Sequence, residues 1–503
     1  MASISPDTSS GVHRPAAGSS SVPMESGAGE DRLPLPRPAS TEPEPVFGII
    51  LFGGPLTGAT VRDVNLANEL ASRGYRVHVW WTMDRPKRSR LRSEIRQHWL
   101  FSIVRYWELG KAKSNYELQD KVGQAVGWFF PDHYLVNFFQ RRPKTLEHFM
   151  DGILRLVCDG VERDEKLIRR FASQMEEAGV THMMPTIEVL NAWFLAARRR
   201  MKRPPKYLVT FQGYEVCANY ARAMGCECRL YERIRELVRE SDWPAVAVSE
   251  DYRRRVIEDV GIPESSIRAI SVGVPPALEV DREEALRRIS AAFPNFRTEI
   301  PLITYLGRRD AEKGIDLILY AASMLRRRGV KLQLAVCGPT LHGGSYTRAC
   351  RQIAENLRYP VLWSDFVSDE LRAALFSVSR AVVYPSIHRE AFGMVAVEAM
   401  AHGTPVIVPD FGGVVEAVQA EGRMGGLLFR AWDSGHLAEQ IARLLGDAEL
   451  RRRLSEAAPY VAGYHSVPRM VDRLLAHMGL AVGRRAGRPG DDGRFHVPSR
   501  SSE

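Results

Sequence analysis

Long apolar runs are absent from this sequence of 503 residues. A membrane-spanning helix needs about 20 consecutive apolar residues, and no segment reaches that length. Residues 1–45 also contain no apolar core of the kind that a secretory signal peptide carries. We therefore expect a cytoplasmic protein. The positive charge described below further predicts peripheral binding to the inner face of the membrane.

Cysteine is scarce as well. The six cysteines are scattered, and no CxxC pair or nearby set of histidines accompanies them. This pattern indicates reduced, mostly buried thiols rather than a disulfide or zinc framework. The spacing GxGxxG is also missing from the first glycine turn, so a dinucleotide fingerprint is weak there.

The composition fits a soluble globular protein with two domains. Hydrophobic residues make up 45% and charged residues 26% of the chain, which is long enough for two ordinary domains plus extensions. Residues 1–45 are rich in Ser, Pro, Gly and Ala, and residues 483–503 are rich in Gly and Arg. Because such segments bury too little apolar surface to offset the entropy of ordering, we predict two disordered tails.

Positive charge is concentrated in one segment. The formal net charge is +9, and residues 85–113 hold nine basic side chains but only two acidic ones, a local excess of +7. The basic residues are Arg85, Lys87, Arg88, Arg90, Arg92, Arg96, Arg105, Lys111 and Lys113. Such an excess predicts an anionic partner for this segment.

Apolar residues recur at every fourth position of the same segment, which predicts a helical insertion over about residues 85–171. They are Leu91, Ile95, Trp99, Ile103 and Trp107. An apolar stripe beside arginines can lie on an anionic membrane, where each basic residue contributes about 1 kcal/mol. Packing of the stripe on its own domain stays open as the alternative. We expect no nucleic-acid partner, because no binding motif accompanies the charge.

The rest of the chain alternates between strand and helix patterns. Residues 46–52 read as a buried strand, and a glycine turn, a helix and a second strand follow them. This is a βαβ unit, whose glycine turn lets a ligand approach the backbone. The turn contains Gly53, Gly54 and Gly58. A second series of such units begins at residue 301, so we predict an α/β fold with two facing Rossmann-like domains, 46–275 and 301–482, joined by a linker over 276–300.

One strand, loop, helix and strand pattern over residues 381–409 carries much of the candidate chemistry. Its turn contains Glu390 and Gly393, and Glu398 lies in the helix that follows. Ligands of open α/β sheets bind at the carboxyl ends of strands, and a helix N-terminus favours an anion such as a diphosphate. Carboxylates accept hydrogen bonds from sugar hydroxyls. The turn predicts a sugar-nucleotide site, with a solvated helix face as the alternative for the two glutamates.

The loop GRRDAEKG over residues 307–314 supplies two candidate cations. Arg308 binds phosphate oxygens in a bidentate manner, and Lys313 acts as a point charge. The strand order of a doubly wound sheet places this loop near Glu390. For either cation alone, simple solvation is the alternative.

Together these motifs resemble those of the family 4 retaining glycosyltransferases, which have the GT-B fold. The resemblance rests on Glu390 and Glu398 as an E-x7-E pair in REAFGMVAVEAMAHGTPVI, on GRRDAEKG and on SDELRAALFSVSRAVVYPS. It covers nearly all of residues 46–480 apart from the insertion. It implies a UDP- or GDP-linked hexose donor, retention of configuration, and no bound metal or cofactor, in agreement with the lack of a DxD motif.

The resemblance also implies a role for each candidate residue. Arg308 and Lys313 would neutralise the diphosphate leaving group and Glu390 would hold the donor hexose, and these three form the implied catalytic set. The implied donor-binding residues are Gly53, Gly54, Gly58, Phe392, Gly393, Met394 and Glu398. Within this set Glu398 would hold the ribose hydroxyls. The domain 46–275 would bind the acceptor, and the domain 301–482 the nucleotide sugar.

The match departs from the family's pattern at one turn. Many members have a histidine in a T-x-H-G turn at the cleft, and Gln212 stands at that position here. Glutamine exchanges hydrogen bonds but does not titrate, which leaves acceptor binding open. His182 is a second candidate at the cleft. We expect a lipid-linked or glycan acceptor in cell-envelope polysaccharide or glycolipid synthesis, and a non-catalytic sugar-nucleotide-binding protein and an epimerase are the rival hypotheses.

Overall fold

The computed structural model describes residues 44–52, 58–82, 90–101, 154, 157–158, 161, 165–185, 191–340 and 344–482. The predicted tails, apart from residues 44–45, lie outside these ranges, as do Gly53, Gly54 and more than half of the basic segment. The strands are β1 Val46–Phe52, β2 Arg76–Thr82, β3 Arg96–Phe101, β4 His182–Pro185, β5 Lys206–Tyr207, β6 Thr210–Phe211, β7 Ala245–Ala247, β8 Ile267–Ala269, β9 Leu302–Leu306, β10 Gln333–Cys337, β11 Val361–Ser364, β12 Ala381–Val383, β13 Val406–Pro409, β14 Gln419–Ala420, β15 Arg423–Met424 and β16 Gly426–Phe429.

Helices alternate with these strands along most of the chain. They are α1 Gly58–Ser72, α2 Glu165–Ala178, α3 Asn191–Arg198, α4 Glu215–Ala223, α5 Glu227–Glu240, α6 Glu250–Val260, α7 Arg282–Ala292, α8 Ile315–Arg327, α9 Ser345–Asn356, α10 Asp369–Val378, α11 Met394–Ala401, α12 Val414–Ala417, α13 Ser434–Gly446, α14 Ala448–Tyr464 and α15 Val467–His477. Short 3-10 helices cover Glu264–Ser266 and Ala311–Lys313. None of the helices in the described ranges is both long and apolar enough to cross a bilayer.

Five parallel strands form the first sheet, in the order β3-β2-β1-β4-β5. Strand β1 reads VFGIILF and is buried over residues 46–51, as expected where helices cover both faces of a parallel sheet. A smaller parallel sheet, β6-β7-β8, continues beyond β5. Since all these strands run in one direction, their carboxyl ends lie along one edge.

Strand β3 corrects one expectation. We predicted a helical stripe through Leu91, Ile95 and Trp99, but residues Arg96–Phe101 form a strand that pairs with β2. Residues four apart share a face in a strand as well as in a helix, because four is a multiple of the strand period of two. The three side chains do pack into one cluster with β1, β2 and α1, so over these residues the stripe covers the domain's own core. The remaining members of the stripe, Ile103 and Trp107, lie outside the described residues.

The second sheet has six parallel strands in the order β11-β10-β9-β12-β13-β16. The chain moves outward from β9 to β11 and then returns to the other side of β9 with β12. This reversal is a topological switch point, where open α/β sheets bind their ligands. The two sheets confirm the predicted α/β fold class with two Rossmann-like domains.

Two further segments connect the halves of the molecule. Helix α7 lies within the predicted linker 276–300. Near the C-terminal end, α15 buries Val471, Leu474 and Leu475 in the cluster that contains α1, and Val274 bridges Ser466 just before this helix. The last helix therefore packs on the first sheet. The exact domain boundaries stay a prediction.

Candidate active site

Two loops meet at the carboxyl edge of the second sheet. One follows β9 over residues 307–314, and the other follows β12 over residues 384–393. The carbonyl of Glu312 on the first loop accepts hydrogen bonds from the Ile387 N–H at 3.0 Å and the His388 N–H at 3.2 Å. Gly314 has φ +62°, and a Cβ atom there would lie 2.2 Å from the Pro385 carbonyl oxygen. Glycine at this position lets the two loops touch.

Lys313 and Glu390 form a buried ion pair where these loops touch. The Lys313 ammonium donates to the Glu390 carboxylate, and the Ser386 hydroxyl donates to the same oxygen at 2.7 Å. Burial raises the pKa of Glu390, but Lys313 outweighs burial and the pKa lies below its usual value. Burial likewise lowers the pKa of Lys313, and Glu390 reverses that shift and holds the pKa above its usual value. Both groups are therefore charged at neutral pH.

Arg308 stands beside this pair with two carboxylates of its own loop. Its guanidinium contacts Asp310 at 2.6 Å and also binds Glu312. Burial lowers the pKa of Arg308, while Glu312 and Asp310 raise it to a net value above its usual range. The Tyr305 hydroxyl donates to the Arg308 carbonyl, which fixes the backbone of the loop. The loop thus holds a second cation close to the Lys313 ammonium.

Glu398 occupies a separate buried position on α11. Its side chain is 12% exposed, and its carboxylate lies 3.5 Å from Arg372, which also contacts Asp369 at 3.1 Å. Burial raises the pKa of Glu398, and the attraction of Arg372 offsets only part of that shift. Arg90 from the first domain reaches Asp369 at 2.9 Å. Sequence reasoning missed this group, because an arginine on a polar helix gives no signal of its partner.

The N-terminus of α11 lies between the two glutamates. Gly393 has φ +95° and caps the helix without a side-chain hydrogen bond, and the Ala396 N–H donates to the Gly393 carbonyl at 3.1 Å. The first turn of a helix otherwise offers backbone N–H groups that have no i−4 partner. A Cβ atom on Gly58 would lie 3.7 Å from the Met394 sulfur. The start of α1 in the first domain therefore faces the start of α11 in the second. Phe392 is buried, with its ring against His465 at 5.2 Å.

Gln212 follows β6 at the carboxyl edge of the first domain. Its amide nitrogen donates to the Asp63 carboxylate at 3.1 Å, and Arg62 pairs with the same carboxylate. Both charged residues lie on α1 and are almost fully buried. We did not predict this pair, although two adjacent opposite charges in the first helix after a glycine turn were a visible signal.

His182 does not join this group of residues. It begins β4 and pairs with Phe47 near the start of β1, so it lies at the amino end of the sheet, away from the candidate site. Its ring packs between Phe47 at 5.5 Å and Trp243 at 5.6 Å, and Nδ1 is 2.9 Å from the Thr181 hydroxyl. The expectation of His182 at the cleft is wrong, because His182 is the first residue of its strand and the cleft lies at the other, carboxyl end.

The arrangement can bind an anion next to a polyhydroxyl group. Two cations and a helix N-terminus favour a diphosphate, while Glu390 and Glu398 accept hydrogen bonds from hydroxyls. Across the described residues, no group of three or more His, Cys, Asp or Glu side chains is arranged to hold a metal ion. Whether the protein uses a metal or cofactor stays a prediction.

The fold and the site define a two-domain α/β protein of GT-B architecture. HepE from Anabaena, solved with UDP and glucose, superposes with a TM-score of 0.62 at 15% identity and covers 86% of this chain and 99% of its own. Sucrose-phosphate synthase from Thermosynechococcus elongatus superposes with a TM-score of 0.61 at 18% identity, covering 87% and 98%. At these identities the likeness concerns the fold alone.

The match to a family model falls mainly in the second domain. Residues 287–460 match the family model of glycosyl transferases group 1. The alpha-D-kanosaminyltransferase of Streptomyces kanamyceticus is 33% identical over 176 residues, which are 35% of this chain and 44% of the relative. The D-inositol 3-phosphate glycosyltransferase of Nocardia farcinica is 31% identical over 264 residues, 50% of this chain and 56% of the relative. The chain thus spans about half the length of the curated relatives it matches.

Proposed function

We propose that this protein is a retaining glycosyltransferase of the family 4 type, which moves a hexose from a UDP- or GDP-linked donor to an acceptor. One arrangement carries the proposal: the cations Arg308 and Lys313 share a sheet edge with Glu390 and with the N-terminus of α11. These groups match a diphosphate joined to a sugar. The match of residues 287–460 to glycosyl transferases group 1 supports the same activity.

In the proposed reaction, the bond between the anomeric carbon and the diphosphate oxygen breaks. The acceptor hydroxyl oxygen bonds to that carbon on the same face, and the departing phosphate takes the hydroxyl proton. Negative charge grows on the diphosphate as its bond breaks, so Arg308 and Lys313 stabilise the transition state more than the bound donor. Glu390 holds the hexose hydroxyls and Glu398 the ribose hydroxyls. In this proposal the cations fill the role that a metal ion has elsewhere.

The acceptor is the less constrained part of the proposal. We favour a lipid-linked or glycan acceptor of the cell envelope, with the basic segment 85–113 against an anionic membrane. Within the described residues, Arg92 pairs with Glu94 and Arg90 with Asp369, which reduces the charge that these two arginines offer to lipid.

Liposome sedimentation tests the membrane part. We expect the protein to bind anionic vesicles more than neutral ones, and to lose that difference when Arg88, Arg92 and Arg96 are changed to glutamine. Equal binding to both kinds of vesicle would remove the membrane from the proposal and leave the transferase activity untouched.

A thermal-shift screen tests the activity itself. The purified protein is mixed with UDP, GDP, ADP and their hexose derivatives, and release of nucleoside diphosphate is then measured for each donor that stabilises it. We expect one donor to raise the melting temperature and to be hydrolysed slowly without an acceptor. No stabilisation by any nucleotide would contradict the proposed donor site.

The second candidate function is a non-catalytic sugar-nucleotide-binding protein. Gln212 favours it, because glutamine in contact with Asp63 cannot act as acid or base. Stabilisation by one sugar nucleotide without any turnover, with lipid and glycan acceptors supplied, would support this candidate. The Lys313 and Glu390 pair favours the transferase, since a buried cation can stabilise the negative charge that grows on a leaving diphosphate.

A further inference from the structure

The backbone on both sides of Glu390 is held by side chains from the first domain. The Arg255 guanidinium donates to the Arg389 carbonyl at 2.7 Å, and the Ser249 hydroxyl donates to the Ala391 carbonyl at 2.7 Å. Ser249 caps α6, and Arg255 lies within the same helix. The Glu390 carbonyl itself accepts from the Gly413 N–H at 2.8 Å, within the second domain.

A second pair of contacts joins the start of α6 to the Glu390 loop and to α12 of the second domain. The Arg389 guanidinium grips the Asp251 carboxylate, with Nε 3.1 Å from Oδ1 and 3.0 Å from Oδ2. The Glu416 carboxylate, on α12 of the second domain, accepts from the backbone N–H groups of Glu250 at 2.8 Å and Asp251 at 2.7 Å. A carboxylate on the first turn of a helix satisfies unpaired donors and complements the helix dipole. Two charged side chains of the second domain, Arg389 and Glu416, therefore bind to the first turn of α6 in the first domain.

Arg255 is itself fixed toward the Gln212 turn. Its guanidinium pairs with Glu215 at 2.7 Å, and the Tyr252 hydroxyl donates to the other oxygen of that carboxylate at 2.7 Å. The side chains of Arg255 and Glu215 are only 11% and 13% exposed. Glu215 begins α4, three residues after Gln212. One buried guanidinium thus connects the turn of the first domain to the backbone beside Glu390.

The contact region leaves little room for adjustment. A Cβ atom on Gly413 would lie 2.0 Å from the Ala391 carbonyl oxygen and 2.5 Å from the Ser249 hydroxyl. The loop is therefore closely packed where Ser249 docks. In an enzyme, misplacement of a catalytic group by 1 Å costs about 100-fold in rate.

We propose that Ser249, Asp251 and Arg255 are positioning residues, which set the Glu390 loop when the two domains meet and couple it to the Gln212 turn. This inference rests on the proposed function, because it assigns to first-domain residues the placement of Glu390 toward the donor hexose. They act through the backbone of residues 389–391 and through the Arg389 side chain. The two cations proposed for the donor's diphosphate, Arg308 and Lys313, both lie in the second domain.

Arg255→Gln is the central test, and Arg253→Gln is its matched control. Arg253 lies on the same helix, but its partners Glu250 and Glu264 belong to the first domain. With the full chain, we expect Arg255→Gln to lower kcat about 10- to 100-fold, and to change the affinity for nucleoside diphosphate less than threefold in calorimetry. We expect the control to change neither. Equal turnover in both variants, or an equal loss of kcat and nucleotide affinity, would overturn the inference.

Charge exchange tests the second contact. We expect Asp251→Arg and Arg389→Asp each to lower kcat about tenfold, and the double variant to recover most of it, because opposite charges face each other again. A double variant no better than its parents would count against a positioning role for this pair.

Hydrogen exchange separates this inference from the proposed function. The amides of residues 386–393 are compared in the unaltered protein, Arg255→Gln and Arg253→Gln, which needs no turnover. We expect faster exchange only in Arg255→Gln. Faster exchange in a protein that lacks turnover would keep the positioning contact and refute the transferase activity. Unchanged exchange would refute the contact even if the protein is an active transferase.

Discussion

Removing Lys313 and Glu390 singly and together measures the ion pair at the centre of the site. Their side chains are 8% and 13% exposed, so water screens the pair weakly. Removal of one partner leaves an uncompensated buried charge, which costs about 3–5 kcal/mol. We expect Glu390→Gln to reach that range. Lys313→Met removes the cation beside both Glu390 and Glu312, which lies 3.7 Å from it, and we expect a similar loss.

The double variant decides whether the two charges act as a unit. With neither charge present, the penalty for an unpaired ion disappears, so the double variant should lose less than the sum of the single losses by about 2 kcal/mol. Urea denaturation at pH 7 gives the free energy of unfolding of each variant. Glu284→Gln, which breaks a solvent-exposed contact with Arg287, is the control and should leave the free energy of unfolding nearly unchanged. If the loss of unfolding free energy in the double variant equalled the sum of the two single losses, Lys313 and Glu390 would not act as a coupled pair.

The pH dependence of the same pair has a defined sign. The pKa of Glu390 is lowered below 4.5, so its stabilisation is present above pH 4.5 and is lost as the pH falls through the lower folded-state value. The pKa of Lys313 is raised above 10.5, so its stabilisation is present below pH 10.5 and is lost as the pH rises further. The penalty for Glu390→Gln should therefore be constant between these limits and shrink outside them.

Three other perturbations test separate parts of the structure. Glu398→Gln should raise the melting temperature more at pH 8 than at pH 4, because burial raises the pKa of Glu398 and ionisation of this side chain opposes folding. The same substitution should lower the affinity for the sugar nucleotide roughly tenfold. An unchanged affinity would refute the ribose role. Gly314→Ala should destabilise the protein by more than the about 1 kcal/mol expected for Gly329→Ala, since both have positive φ but only Gly314 meets a neighbouring carbonyl. Equal losses in thermal unfolding would contradict the close approach of the loops. Burial lowers the pKa of His78 to about 4, so the free energy of unfolding should fall as the pH drops from 6.5 to 4. His78→Phe should flatten that fall in urea denaturation, and an equally steep fall in the variant would contradict the prediction.

The sequence predicted the parts of the fold that local patterns encode. Apolar strands separated by helices predicted two parallel sheets, and the switch point in the second sheet placed the Lys313 loop beside the Glu390 turn, where the structure has it. The prediction failed at β3 for a reason of geometry, because a spacing of four residues fits both helix and strand. The wrong placement of His182 followed from taking the start of a strand for its end.

The partners of the candidate residues could not be predicted in the same way. Arg372 lies 3.5 Å from Glu398 in space but 26 positions away in the chain, and Ser249 reaches Ala391 across 142 positions. No periodicity connects such residues, because the first contact depends on how two helices pack within the second domain and the second contact on how the two domains meet. Local sequence therefore identifies the groups that can do chemistry, whereas tertiary packing decides which of them are held in place.

The charges of the site are largely balanced within the chain, which limits how it can recognise an anion. Arg308 contacts two carboxylates, Lys313 contacts Glu390, and Glu398 lies near Arg372. Opposite charges at such short range cancel beyond a Debye length of about 8 Å, so this group of charges provides little long-range attraction for a diphosphate. Recognition must then depend on directional hydrogen bonds made on contact, including those of the first turn of α11. In the proposed reaction, the accuracy of the Glu390 loop geometry would then decide how the hexose is placed, which is why contacts from the other domain to the backbone beside Glu390 would matter for turnover.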